Sequence, residues 1–353
     1  MLRRLKTPLI LLLAALAVYQ TAQLWFVHLT NRNLAVFFAA MFESPVPDGY
    51  MELTRPMRVV TNDANQNRVV RYDVTCAISE AAFDMALRQG VFTGVAQREY
   101  VWENLQDKTF VMYEYAVFMR AEIFTLAFGP RNNTRLADNG IDRFNAVATT
   151  TNGVVFLGET YAWSFSLPEV IQMPAMPHAL PPPDFVQVRT NPYANPSGEI
   201  RLETVNAQVG HFFDNPATRT PRLVDNIITI STNNTVVRFW PPGNGHVLEY
   251  QCYRSIRRDG VTDFLTDFSA ALAFVYADLN VANAFYLADY EMRGRTHVFW
   301  FNYFVYYQGM AFPLPTERWS TATEPLPFPI EVTVDRGRVT RYRKVAYTFE
   351  VRG

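Results

Sequence analysis

His297-Val-Phe-Trp-Phe-Asn-Tyr-Phe-Val-Tyr-Tyr307 is the stretch whose reading decides the fold. Alternation puts Phe299, Phe301, Tyr303 and Val305 on one side and Val298, Trp300, Phe304 and Tyr306 on the other, the period of two of an extended strand. Both sides are apolar. A strand of this kind is central in a sheet covered on both faces, or sits at an interface. Gln308-Gly309 then turns the chain into Met310 to Leu314.

Outward from this strand the same grammar repeats. Thr235 to Trp240 and His246 to Tyr253 flank Pro241-Pro242-Gly243-Asn244-Gly245, and Ile330 to Val334 and Val339 to Val351 flank Asp335-Arg336-Gly337. Each pair predicts a hairpin. Between them, Thr262 to Leu279 predicts one strong helix, because Phe264, Phe268, Leu272, Val275 and Leu279 step by three or four and form a stripe that faces a sheet. In the first half, Ser79 reads as a helix N-cap, with Ile78 and Phe83 placed as a hydrophobic staple and Gly90 ending the helix. The 27 Phe and 18 Tyr fall mostly into strand-like runs separated by Gly, Asn and Pro. The fold class is therefore α+β, mostly antiparallel sheet packed with a few helices.

The proline-rich passage Leu167 to Phe185 suits neither a sheet interior nor a long helix, which makes it a boundary. Residues 45–166 read as one α+β domain, 167–196 as a linker and 197–353 as a second α+β domain. The two modules, from about Pro56 and about Ser197, have a similar order, as a distant duplication would give.

The N-terminus carries a different signal. Arg3, Arg4 and Lys6 precede an apolar stretch from Pro8 to Val18, followed by Tyr19, Gln20, Thr21, Gln23, Trp25 and Phe26. A basic flank ahead of an apolar helix stays in the cytoplasm, so the C-terminal bulk lies outside. Residues 1–7 read as a cytoplasmic tail, 8–27 as a transmembrane helix and 28–44 as a juxtamembrane segment, with Asn33 to Phe42 either a juxtamembrane helix or the first core helix beyond it. A cleaved secretory signal is the competing reading, given Ala15-Leu16-Ala17. Retention is preferred because apolar character resumes at Leu24 to Leu29 and at Leu34 to Phe42, with no polar, breaker-rich cleavage region. The expected location is the cell membrane, crossed once.

A chain of 353 residues with 49% hydrophobic content can bury a sizeable core. Its net charge of −1, with 18% charged residues, argues against nucleic acid as the main partner. Lys6, Lys108 and Lys344 are the only lysines among 32 cationic side chains. Cys76 and Cys252 are the only cysteines; export would permit a disulfide between them, and two small buried hydrophobes is the other reading.

No constellation of residues points to a reaction, a cofactor or a metal. His28, His178, His211, His246 and His297 share no metal-ligand spacing with one another or with either cysteine, and each reads as structural. Ser164 lacks the flanking glycines of a nucleophile elbow. Gly243-Asn244-Gly245 is too short for a phosphate loop. Asp263 and Asp267 lie one turn apart and read as a solvated face near a helix N-terminus. Glu249, Glu159 and Asp278 read as isolated. Asn132-Asn133-Thr134 and Asn233-Asn234-Thr235 match the glycosylation pattern, which matters only in a eukaryotic secretory route. The expectation is a non-enzymatic protein.

The leading helix has the most specific physics. Ala14, Ala17 and Thr21 line a small-residue ridge, Gln20 lies beside it and Gln23 one turn further out. Small residues permit close helix approach, and an intramembrane amide hydrogen-bonds to another helix for about 1 kcal/mol. This reads as a helix-pairing face; an ordinary anchor whose glutamines reach headgroups is the alternative.

Several of these features together resemble a family, the membrane-anchored YycH and YycI type regulators of the WalK sensor histidine kinase of Gram-positive bacteria. They are the basic N-terminus running into Tyr19-Gln-Thr-Ala-Gln-Leu-Trp-Phe26, then Asn33 and Phe37-Phe38. Near the other end they are Phe301-Asn-Tyr-Phe-Val-Tyr-Tyr-Gln-Gly309-Met-Ala-Phe-Pro and Ile330-Glu-Val-Thr-Val-Asp-Arg-Gly-Arg-Val-Thr-Arg-Tyr342, with Asn234-Thr-Val-Val-Arg-Phe-Trp240 through Glu249-Tyr250 as a third element. The resemblance covers the anchor and most of the C-terminal half. It implies an α+β ectodomain without enzymatic activity, acting in a two-component system by direct contact with the kinase and with a related membrane-anchored regulator, the spanning helix being a main contact. An exported cell-wall-binding or assembly module is the rival reading, and an exported hydrolase using scattered carboxylates a third.

Overall fold

The alternation in 297–307 becomes a twelve-residue strand with a strand hydrogen-bonded on each side of it. The computed structural model describes residues 56–62, 68–71, 95–100, 105, 108–128, 136–167, 188–190, 193–194, 197, 199–215, 218–240, 247–254, 263–279, 285–307, 310–314, 325–346 and 348–350.

Eighteen strands are described. In chain order β1 to β7 are Arg58–Asn62, Arg68–Arg71, Gln97–Tyr100, Phe110–Arg120, Arg143–Thr150, Gly153–Leu157 and Tyr161–Ser166. Next, β8 to β12 are Val188–Thr190, Thr220–Val224, Ile227–Ser231, Thr235–Trp240 and Val247–Cys252. The last six, β13 to β18, are Phe285–Arg293, Thr296–Tyr307, Met310–Pro313, Ile330–Asp335, Arg338–Val345 and Thr348–Glu350. Among the described residues, three α-helices with defined bounds accompany them: α1 Ala121–Phe128, α2 Leu202–Gln208 and α3 Phe264–Leu279. Every pairing among the described strands is antiparallel. The α+β class expected from the sequence is the class observed.

One sheet of seven strands runs β2-β1-β4-β5-β6-β7-β3, and one of nine runs β13-β14-β16-β17-β12-β11-β10-β9 with β15 beside β14. β18 and β8 form a separate two-stranded sheet. The first sheet ends with Ser166 and the second begins at Thr220, so the proline-rich passage lies between them in sequence. Pro45–Gly353 nonetheless makes one compact unit, and a single core cluster joins Phe124, Phe144 and Phe156 to Phe239, Phe299 and Tyr342. The Tyr290 hydroxyl on β13 donates to the Phe118 carbonyl on β4 at 3.2 Å. The Arg120 guanidinium lies 4.2 Å from the centre of the Phe264 ring, a cation–π contact between the halves.

Local chemistry explains the connections. β9 and β10 close through Asp225 and Asn226 with φ of 51° and 61°, and β16 and β17 through Arg336 and Gly337 with φ of 50° and 72°, two-residue turns whose left-handed backbone matches strand twist. Pro221 sits on β9, an edge strand, where a missing N–H is tolerated. Asp263, just before α3, accepts from the Thr266 N–H at 2.9 Å and the Thr266 hydroxyl at 2.7 Å, the N-cap bond that starts the helix. The predicted strand over 339–351 is broken: β17 ends at Val345, and Thr348–Glu350 pairs with β8 instead.

The two faces of the nine-stranded sheet have opposite characters, and β14 is buried on both, as its apolar faces predict. Under α3 runs a cross-strand row of Phe299, Val332, Tyr342, Tyr250, Val237 and Ile230. One residue along, on the opposite face, runs Trp300, Glu331, Arg343, Glu249 and Arg238. Alternating charges directly opposite one another stabilise such a row, and most of this one is buried. Glu331 accepts from Trp300 Nε1 at 2.9 Å and from Arg343 Nε at 2.9 Å. Glu249 accepts from Arg341 Nε at 2.6 Å.

Several expectations fall on residues outside those described. These are the transmembrane helix 8–27 with its flanks 1–7 and 28–44, the helix beginning after Ser79, most of the linker, Cys76, His28, His178 and His246. Cys252 is a free thiol, partly buried. Among the described residues, no helix is long and apolar enough to cross a membrane.

Candidate functional site

Ala14, Ala17, Gln20, Thr21 and Gln23, the face singled out in the sequence, lie outside the described residues. The structure draws attention instead to a buried polar cluster under the C-terminal end of α3.

Lys344 is the anomaly from which the cluster is built. On β17 it occupies a cross-strand row otherwise made of Phe301, Ile330, Leu248, Phe239 and Ile228, all buried. An ammonium in such a row must be paired, because an uncompensated buried charge costs several kcal/mol. Asp278, in the last turn of α3, supplies the partner: its Oδ2 lies 2.5 Å from Lys344 Nζ, and its side chain is 1% exposed.

Two further donors converge on the same carboxylate. The Tyr342 hydroxyl donates to Oδ2 at 2.6 Å. His211 comes from the 3₁₀ turn Val209–Phe212 that follows α2, and its Nε2 lies 3.0 Å from Oδ1. The other ring nitrogen, Nδ1, lies 3.0 Å from the Gln208 carbonyl. A carboxylate and a carbonyl both accept, so both contacts form at once only when each ring nitrogen carries a hydrogen. The imidazole is one-third exposed and joins the buried carboxylate to solvent.

Aromatic rings wall the cluster. Phe212, Tyr250, Phe274 and Tyr342 are in mutual contact, with centroids 4.9–6.0 Å apart. Lys344 Nζ lies 5.5 Å from the centre of the Tyr193 ring. Burial pushes the Asp278 carboxyl up, but the Lys344 charge and the bonds from His211, Lys344 and Tyr342 pull it further down, to about 2. Burial pushes Lys344 down, and the Asp278 charge more than reverses this, so the ammonium is held above the ordinary lysine range. Burial raises the Tyr342 and Tyr193 hydroxyls, so both stay protonated and Tyr342 remains a donor. The resting state of the pair is ionic.

A second pair lies at the other end of α3. Asp267, fully buried, has Oδ2 at 2.7 Å from His297 Nδ1 on β14, and its Oδ1 accepts the Gly337 N–H of the β16–β17 turn at 2.5 Å.

His211 and His297, read as structural, each hold a carboxylate partner that the sequence does not reveal. Three acidic readings are corrected. Asp278 and Glu249 are not isolated but sit in networks. Asp267 is not a solvated residue, whereas Asp263 is exposed and caps the helix as its position suggested. A signal was present: Asp267 and Asp278 fall within the apolar stripe of α3, and Lys344 alternates in phase with Tyr342. Among the described residues, no group of three or more His, Cys, Asp or Glu side chains is placed to hold a metal ion.

Compared with known protein families, with curated proteins and with solved structures, the chain matches none of them.

Proposed function

We propose that this chain is a single-pass membrane protein whose extracytoplasmic α+β part helps it associate with a sensor histidine kinase and a related membrane-anchored regulator. In this reading it acts by contact and carries out no turnover. The observation that carries the proposal is Gln20 beside Ala17 and Thr21 within an apolar stretch that follows Arg3, Arg4 and Lys6. A helix with such a face packs closely against another helix and offers it an amide. If it packs better against one arrangement of the kinase helices, that differential affinity alone shifts the kinase between its on and off states.

The fold described above supports this reading from the other side. His211, with an acceptor at each ring nitrogen, is occupied in bracing the short turn to α3. Asp267, Asp278 and Glu331 each hold two elements together. These groups serve a stiff scaffold outside the membrane, while the contact that biases the partner lies in the helix.

Replacing Gln20 and Gln23 with leucine in the full chain tests the proposal. Co-purification with the kinase should fall, and the output of its target genes should change. Wild-type values of both would remove the helix contact. Exporting the chain without residues 1–27 separates this reading from a cell-wall-binding module, which would keep its activity without the anchor.

A further inference from the structure

Lys344 and Asp278 form a contact whose chemistry goes beyond an ion pair. An amine and a carboxyl held together away from water are the two halves of an amide, and water, which would compete with the amine and reverse the product, is kept out by the aromatic wall. We propose that Lys344 Nζ condenses with the Asp278 side chain to form an intramolecular isopeptide bond that ties α3 covalently to β17.

The cluster supplies each part of the step. The ionic pair first returns to its neutral form: one proton leaves Nζ for the carboxylate and comes to rest on Oδ1, the oxygen that will leave as water. Because the pocket favours the ions, this transfer is the uphill part of the step. The Nζ lone pair then attacks Cγ, forming the C–N bond. The Tyr342 hydroxyl, on Oδ2, stabilises the negative charge that builds on the oxygen that stays, as an oxyanion donor does. His211, on Oδ1, protonates the oxygen that leaves and recovers a proton from Nζ as the tetrahedral centre collapses. The C–Oδ1 bond breaks and one water departs. An ammonium and a carboxylate become an amide and water, with no oxidant, reductant or outside reagent. The partly exposed His211 ring gives the water and the protons a way out.

Composition points the same way. This chain uses arginine at all but three of its 32 cationic positions. An arginine would be the better partner for a buried carboxylate through its two-pronged geometry, as Arg343 is for Glu331 in the same sheet. A guanidinium, however, cannot be acylated in this way, because it stays protonated. The lysine stands where only a primary amine can react.

Intact and peptide-level mass spectrometry of the purified full chain tests the bond. The expected result is a mass one water below that of the sequence, together with a branched peptide containing Lys344 and Asp278 that trypsin does not cleave after Lys344. Lys344→Arg keeps the charge and should restore the missing water and two separate peptides. His211→Gln, with folding checked by circular dichroism, should slow closure roughly a hundredfold in a time course of intact mass; closure at the wild-type rate would overturn the role of His211 as proton carrier. A wild-type chain of full mass that trypsin cuts after Lys344 overturns the bond, and so does a water loss that persists in Lys344→Arg.

Discussion

Asp267 on α3 and His297 on β14 meet at 2.7 Å with both side chains buried, and the second carboxylate oxygen of Asp267 takes the backbone N–H of Gly337. One carboxylate thus fastens a helix to a central strand and to a hairpin turn. Asp267→Ala removes both bonds, orphaning a partly buried N–H and a buried imidazole. The expected loss is about 3 kcal/mol or more, given what breaking a buried pair costs. Asp267→Asn keeps an oxygen for Gly337 and should lose less. Urea unfolding of the full chain checks the order, and a loss under about 1 kcal/mol for the alanine variant would contradict it.

The neighbouring Asp263 gives a prediction that depends on pH. Its bonds from the Thr266 hydroxyl and the Thr266 N–H hold its carboxyl below the usual carboxylate range. A depressed carboxyl stabilises the fold above its unfolded value of about 3.9, and the contribution fades as pH falls through the folded value. Asp263→Ala should therefore cost about 1 kcal/mol at neutral pH, the usual worth of an N-cap. The gap to wild type should close in acid below about pH 4. Parallel denaturant titrations at a series of pH values read this directly, and a gap unchanged at low pH would refute the charge component.

Gly337 couples that helix start to the β16–β17 turn. Its φ is +72°, and an added Cβ would lie 3.0 Å from Thr266 Cγ2. Gly337→Ala therefore meets two penalties, a left-handed backbone that costs an L-residue about 1–2 kcal/mol and a tight contact with the first turn of α3. Gly337→Ala combined with Thr266→Ser removes the methyl group in the way, so the double variant should recover the contact part and keep the backbone part. Thermal melts of the three variants distinguish the two terms.

Reading the sequence recovers what neighbours along the chain determine. The alternation of His297 to Tyr307 predicts a strand buried on both faces, and Trp300 and Phe301 on β14 are both buried. The three- and four-residue steps of Phe264 to Leu279 predict a helix that the structure begins at Phe264 itself. Asp335-Arg336-Gly337 predicts a turn, and the left-handed backbone of its last two residues shows why. The polar clusters were hidden for the opposite reason. His211, Asp278, Tyr342 and Lys344 come from separate elements, and the turn and sheet that bring them together bury over long sequence distances. A carboxylate in an amphipathic helix also looks the same in sequence whether it meets water or an ammonium. Only its phase betrays it, and in α3 the apolar stripe is wide enough to absorb Asp267 and Asp278 without notice.

The row on the far face of the same sheet offers the last test, because it is a buried charge network with a measurable alternative. Glu331 accepts from Trp300 Nε1 at 2.9 Å and from the Arg343 guanidinium, whose Nη2 lies 2.6 Å and Nε 2.9 Å from Oε1, and the Arg343 and Glu331 side chains are 4% and 6% exposed. Arg343→Met strands the carboxylate with the indole as its remaining donor here, and about 3–5 kcal/mol should be lost. Trp300→Phe keeps most of the ring packing and removes one charge-assisted bond, for about 1.5–3 kcal/mol. Desolvating both ions offsets most of what their attraction returns, so Glu331→Leu combined with Arg343→Met should lie within about 1 kcal/mol of wild type and far above either single variant. A double-mutant cycle by urea unfolding supplies all of these numbers. If the double variant is as unstable as the sum of the singles, the row stabilises the sheet through shape and packing, and the charges themselves add little.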